Sequence, residues 1–382
     1  MHAEYLSEAL GTDGRTRASN VIKATSQSPG DEHKLRTKIL AGSQELEDYR
    51  ALADILLNSG RAEECLAVLH HALELPLPHI QRARISAETA WILWEFGKPE
   101  SAIRAAQVAL SHIADHPEGP EVLLIRGLGH LTLAVCTYFQ DRASSDRSST
   151  LAVESFERLL SEYPDYEDLV GACLHAAGAY VQRAEYAKAV ALYEEAMRRD
   201  PSDQNRLHCL TWIGSALSSD GRYAEAEKRL REALGLAEVD PRGLHRIYFE
   251  IGRVLHLTNR PTEALRSFQQ ALAALEGNPL LRGDRDFIAD IKCEVGHILY
   301  EAERYGEAIS TFAGIISELP RPNPYYYTLV TLGHSYLATG QYGKARDCYE
   351  EVLGSDDAPD DHKAVAREGL SRLPPPPRTR TH

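Results

Sequence analysis

The side chains that could do covalent or metal chemistry are scattered along this chain of 382 residues. Six cysteines (Cys65, Cys136, Cys173, Cys209, Cys293 and Cys348) show no CxxC spacing and no close pair. That is the pattern of reduced, buried thiols, not of a disulfide framework or a zinc site. His70-His71 and the acidic run from Asp356-Asp357 to Asp360-Asp361 have no metal-ligand spacing around them. Glu194-Glu195 and Glu350-Glu351 are consecutive, so on a helix they point apart and cannot share a reacting atom. Gly340-Gln-Tyr-Gly343-Lys344 has the residue types of a phosphate loop without its spacing, and no GxSxG, HExxH or Walker pattern occurs. The expectation is a protein with no catalytic residue, no metal and no cofactor: not an enzyme.

What remains is noncovalent recognition. Steps of three, four and three residues follow one face of a helix. They select Arg246/Phe249/Arg253/His256, Asp290/Cys293/His297/Tyr300 and Tyr327/Val330/His334/Leu337. Guanidinium and imidazole donors interleaved with rings suit a peptide that carries carboxylates and apolar side chains. Arg246, Phe249, Arg253, His256, His297, Tyr300, Tyr327 and His334 are the candidate binding residues, on the helix face that the resemblance of these repeats to a known family implies lines a groove. Trp91 and Trp94, three apart, are a second possible anchor, because tryptophan is enriched where binding energy concentrates.

The elements that position these residues are written as a repeat. A small residue, an apolar residue four later and another three later recur eight times. Examples are Ala189/Tyr193/Ala196, Ala264/Phe268/Ala271 and Ala308/Phe312/Ile315. The starting residues (Cys65, Ala102, Ala152, Ala189, Ala226, Ala264, Ala308 and Ala345) lie 37, 50, 37, 37, 38, 44 and 37 positions apart. Twelve residues earlier stands a second small residue in seven of the eight units: Ala53, Ala90, Ala177, Gly214, Gly252, Gly296 and Gly333. A break such as Asp220-Gly221-Arg222 or Thr339-Gly340-Gln341 separates the two, and a proline closes each unit. Each unit is thus a pair of helices that approach closely where their small residues cross. A sustained period of this length marks a solenoid.

The pattern resembles the tetratricopeptide repeat family, whose L-G-x-x-Y, A-x-x-x-F and P positions recur here. Its best expression is Ala177 to Pro201, AGAYVQRAEYAKAVALYEEAMRRDP. The units are about three residues longer than the family's usual 34 and lack its initial Trp. The resemblance implies an all-α, right-handed α-solenoid (superhelix) of about eight helix-turn-helix repeats, with the first helix of each lining a concave face. It implies a noncatalytic protein–protein interaction adaptor holding a peptide or extended partner segment in that groove. The alternatives are a peptide-sensing regulator that switches conformation and a structural subunit of a larger assembly. One subtype clamps chaperone C-terminal carboxylates with Lys and Asn. The matching positions here are Asp54, Trp91, Gly178, Ser215, Arg253, His297 and His334, with no Asn, so that specificity is not expected.

Residues 1–44 form an N-terminal extension, broken and polar over 11–31, then a long helix or two short ones from Asp31 to Asn58 that enter the first repeat. Residues 45–359 form the array, whose third repeat is irregular, with a polar loop expected over 140–150 (QDRASSDRSST). Residues 360–382 supply a capping helix and a Pro-rich tail. A net charge of −14 argues against nucleic acid and acidic membrane surfaces as partners. With neither a signal-peptide pattern nor a membrane-length apolar run, a cytoplasmic protein is expected. The oligomeric state and the partner's identity are not encoded in these patterns.

Overall fold

The computed structural model describes residues 30–374 apart from 60, 96, 139–140, 238–242, 278–284, 318 and 320–324. Among the described residues there are helices and connections and no strand. The chain falls into two compact units, residues 1–242 and 243–382, a division the period does not mark. Unit 1 opens with α1 (Gly30–Leu40). Five hairpins follow: α2 (Leu46–Asn58) with α3 (Ala62–Ala72), α4 (His79–Glu95) with α5 (Pro99–Ile113), α6 (Pro120–Thr137) with α7 (Arg142–Glu162), α8 (Leu169–Gln182) with α9 (Tyr186–Arg199), and α10 (Asp203–Ser219) with α11 (Tyr223–Ala237). Unit 2 holds three more, α12 (Leu244–Leu257) with α13 (Pro261–Gly277), α14 (Arg285–Glu301) with α15 (Tyr305–Ala313), and α16 (Tyr325–Ala338) with α17 (Tyr342–Gly354). It ends with α18 (Asp360–Ser371). The stretch from Asp31 to Asn58 is thus two short helices.

One turn recurs inside the hairpins. The N–H of the first residue after the break donates back five residues, as in Lys98 to the Leu93 carbonyl, Arg222 to Leu217 and Gln341 to Tyr336. The residue before it has positive φ: 77° at Gly221 and 75° at Gly340, a region glycine occupies without steric cost. Ala184, Asn259 and Glu303 hold the same position at 56°, 58° and 57°. Packing above the turn is equally repetitive. A Cβ placed on Gly252 would lie 2.8 Å from the Phe268 ring, and one on Gly296 2.4 Å from Phe312. In these two hairpins the ring of the second helix therefore sits on bare backbone of the first. Phe268 and Phe312 are fully buried, and truncating such a ring to Ala costs about 3–5 kcal/mol.

The third hairpin departs from the expectation of a loop at 140–150. Residues 142–150 are the first turns of α7, 21 residues long. The Asp141 carboxylate caps it, accepting the Ser144 N–H at 3.0 Å. Ser145 donates to the Ala134 carbonyl at 2.8 Å, and Ser148 and Ser149 are buried with it. Small serines satisfied by helix carbonyls let α7 lie close along α6, so a polar run packs as a helix face. The crossing glycine is Gly127, whose Cβ would meet Phe156 at 2.6 Å. It stands 29 positions before its ring, against 16 for Gly252 and Phe268, and the extra residues lengthen both helices.

Both ends of the array are closed. Arg36 of α1, fully buried, pairs with Glu32 at 2.7 Å and Glu64 at 3.1 Å, and Arg61 reaches Glu32 at 2.8 Å. At the other end, a Cβ on Gly369 of α18 would meet Tyr349 at 2.4 Å, as one on Gly333 of α16 would at 2.7 Å. The Tyr349 ring is wedged between the two helices, and α18 takes the place of a first helix of a further repeat. The expected extension up to residue 29 and the tail beyond 374 lie outside the described residues.

Candidate functional site

In unit 2 the first helices α12, α14 and α16 carry the predicted stripe. Its rings form a ladder. Tyr327 is 50% exposed, with its ring centroid 4.4 Å from His297, which in turn packs 5.0 Å from Phe312. Tyr300 stacks on His334 at 6.3 Å, and His334 lies 5.6 Å from Tyr349. Burial holds His297 down to about 4 and pushes the His334 pKa below its usual value, so His297 is a neutral ring at neutral pH. Phe249 departs from the expectation: it is buried against Phe268 and Phe287, at 5.7 and 5.1 Å between centroids, and belongs to the core. Its apolar ring fills the space between hairpins instead of facing solvent.

The charges of the stripe meet charges of their own chain. Arg246 lies over the Phe287 ring, 4.4 Å from its centroid. His256 sits between Glu294 at 3.8 Å and Glu301 at 2.7 Å, and these carboxylates, Glu294 foremost, raise its pKa to about 9. Burial works against the Glu294 carboxylate, but His256 and Arg253 hold its pKa below the usual range. Arg253 donates from Nη1 to Glu250 at 3.2 Å and keeps a third of its side chain exposed. The imidazoles of His256 and His297 therefore add no free cation. His256 already has carboxylates, and His297 is uncharged.

In unit 1 Trp91 and Trp94 do pair, with centroids 4.7 Å apart. Trp94 packs on the core, while Trp91 meets His175 of α8 edge-on at 5.6 Å and donates its indole N–H to Glu95 at 3.0 Å. Beside them is a network that the period could not reveal. Arg84, 8% exposed, reaches Glu88 at 2.5 Å, Asp168 at 2.7 Å, Tyr166 Oη at 3.2 Å and Glu121 at 3.4 Å. Tyr166 donates in turn to Glu121, and Arg50 reaches Glu88 at 3.0 Å. One guanidinium thereby ties α4 to the start of α6 and to the connection that opens α8. The partners beyond α4 lie up to 84 positions away, Glu121 at the start of the irregular third unit and Tyr166 and Asp168 in the connection that follows it.

Models of the tetratricopeptide repeat match residues 28–117, 172–204, 206–277 and 326–359, together more than half of the chain and in register with the hairpins. The chain is a tetratricopeptide repeat protein. No curated protein matches its sequence. Among solved structures it is similar to the APC/C hetero-tetramer Cut9–Hcn1. The likeness has a TM-score of 0.60 at 18% identity, over 94% of this chain and 63% of that one. It is also similar to a Signal Transduction ATPase with Numerous Domains from Pyrococcus horikoshii that bears a tetratricopeptide repeat sensor. There the TM-score is 0.57 at 13% identity, over 94% of this chain and 55% of that one. The repeat protein thus spans less than two thirds of either chain, and the likeness is one of fold. Repeats of this kind are interaction elements and generally noncatalytic. No helix among the described residues is long and apolar enough to cross a membrane, and no group of three metal-ligating side chains occurs among them.

Proposed function

We propose that this protein is a noncatalytic interaction adaptor holding an extended segment of a partner protein on the first-helix face of unit 2. The observation that carries the reading is the ring ladder, with Tyr327 half exposed above His297 and Tyr300 on His334. Rigid rings offer a large contact area at little entropic cost, and buried second-helix rings hold them in place. Arg253 is the hydrogen-bonding member, a guanidinium side chain a third exposed that suits a carboxylate or a backbone carbonyl of the segment. Arg246 and His256 flank it, already held by their own contacts. The six buried, unpaired cysteines support a reducing, cytoplasmic setting.

Selection from a displayed random-peptide library on the immobilised protein tests the reading. The expected peptides carry an acidic residue or a free C-terminal carboxylate beside apolar side chains. Arg253→Glu and Tyr327→Ala should each lose them while keeping the helical circular-dichroism spectrum. Selected peptides that bind both variants as tightly as the parent would place the interaction elsewhere.

A further inference from the structure

Two imidazoles 33 positions apart meet at the end of the second hairpin opposite its turn. His79 is the first residue of α4 and His112 lies in the last turn of α5, so pairing of the helices brings them together. Their Nδ1 atoms are 3.3 Å apart. The ring centroids are 5.4 Å apart and the planes tilted by 47°, so the rings meet through these nitrogens and not face to face. His79 is exposed and His112 half-buried, which leaves the pair within reach of solvent.

The separation is that of two donors on one ion. Nitrogens bound to zinc at about 2.0–2.1 Å and the tetrahedral angle stand about 3.3–3.4 Å apart, whereas an N–H hydrogen bond is usually no longer than about 3.2 Å. Without an ion, one imidazole can donate a proton on Nδ1 to the other ring, at the long end of that range. An ion takes that proton's place, and the ring stays neutral by carrying its proton on Nε2. The backbone already holds both positions. Arg82 donates to the carbonyls of Leu73, Leu75 and Leu77 at 3.1, 2.8 and 3.1 Å, pinning the connection that delivers His79. Ala109 and Ile113 are buried and anchor the last turn of α5 around His112. Donors placed in advance lose little entropy when an ion binds.

We propose that His79 and His112 form a two-histidine site for a divalent transition ion of the zinc class, bound through both Nδ1 atoms, which clips the end of α5 to the start of α4. No group of three metal-ligating side chains occurs among the described residues, so water fills the remaining positions. Imidazole donors suit zinc, nickel and copper, whereas calcium and magnesium require oxygen. The site uses none of the unit 2 residues and is independent of the function proposed for them.

The test uses the full chain and zinc chloride, read by calorimetric titration and by amide hydrogen exchange. Zinc should bind with a dissociation constant below about 100 μM, and exchange should slow at the first turn of α4 and the last turn of α5. Magnesium should do neither. His79→Gln and His112→Gln should each weaken zinc binding by at least roughly tenfold, because a lone imidazole has lost the chelate. For the same reason the double variant should bind no more weakly than either single one. His362→Gln, a change at an imidazole in unit 2 that already has the Asp361 carboxylate, should bind as the parent does. No binding below about 100 μM would overturn the assignment. So would zinc binding that survives both single changes, separate additive losses in the double variant, or an equal loss in His362→Gln. The exchange measurement needs no variant, and protection absent from these two turns would overturn the assignment by itself.

Discussion

Arg84 is the most consequential single side chain in unit 1, and Arg84→Met is the perturbation that shows it. Methionine keeps the length and most of the apolar stem but removes every hydrogen bond to Glu88, Asp168, Glu121 and Tyr166. Removing one partner of a fully buried ion pair costs about 3–5 kcal/mol, mainly through the charge left behind. Here Glu88 is 23% exposed, Glu121 38% and Asp168 40%, so water takes back part of each carboxylate's solvation. The loss should therefore lie near the lower end, about 2–3 kcal/mol. Urea unfolding followed by circular dichroism should show the corresponding fall in midpoint with the folded baseline intact. Arg84→Met/Asp168→Asn should be less destabilised than the sum of the single changes, because the second removes a charge the first had stranded. A loss under about 0.5 kcal/mol, typical of a surface substitution, would refute the claim that this guanidinium ties three helical elements together.

Unit 2 should be most stable near neutral pH, for two reasons of opposite sign. His297 is held neutral, with a folded pKa of about 4 below the ordinary 6.5, so its contribution is lost as pH falls from about 6.5 toward 4. His256 is held charged, with a folded pKa of about 9, so its contribution is complete below about 6.5 and is lost as pH rises through 9. One pK unit is about 1.4 kcal/mol, and screening at the 60%-exposed Glu301 reduces the His256 share to about 1–2 kcal/mol. Thermal melts across pH should lose the alkaline limb in His256→Gln and the acid limb in His297→Gln; a parent midpoint flat from pH 5 to 9, to the nearest ~1 °C, would refute both. Asp141→Ala should cost about 1 kcal/mol by removing the cap of α7, whereas a loop at that position would make the change neutral; chemical denaturation distinguishes them.

Most of the hairpins were legible because their cause is local and repeated. Gly252 with Phe268 and Gly296 with Phe312 are fixed offsets dictated by one packing geometry, so the period reads out the fold directly. The third hairpin hid because the same geometry is kept while the offset changes: Gly127 meets Phe156 across helices that are both longer. The signal was present in Asp141-x-x-Ser144, a helix cap, and in Ser145, Ser148 and Ser149 spaced as a helix face before Ala152 and Phe156. Polarity argued for a loop, and hydrogen-bonded serines packed against small residues overrode it.

The helices that carry the candidate residues were legible, but the charge of those residues was not. Helical spacing placed Arg253, His256, His297, Tyr300, Tyr327 and His334 on first helices, and there they lie. Residue type marked the imidazoles as donors, and their charge depends on neighbours that spacing does not give. His256 gains Glu301 from 45 positions away, while His297 loses its proton to burial beside Phe312. The same limit concealed Arg84, whose partners Tyr166 and Asp168 lie in a connection between repeats. Repetition therefore specifies which residues share the first-helix side, and the residues that break the repetition set the charge found there. In unit 2 that leaves packed rings and a partly exposed Arg253, and in unit 1 a buried guanidinium, Arg84, held by carboxylates from α4, α6 and the connection before α8.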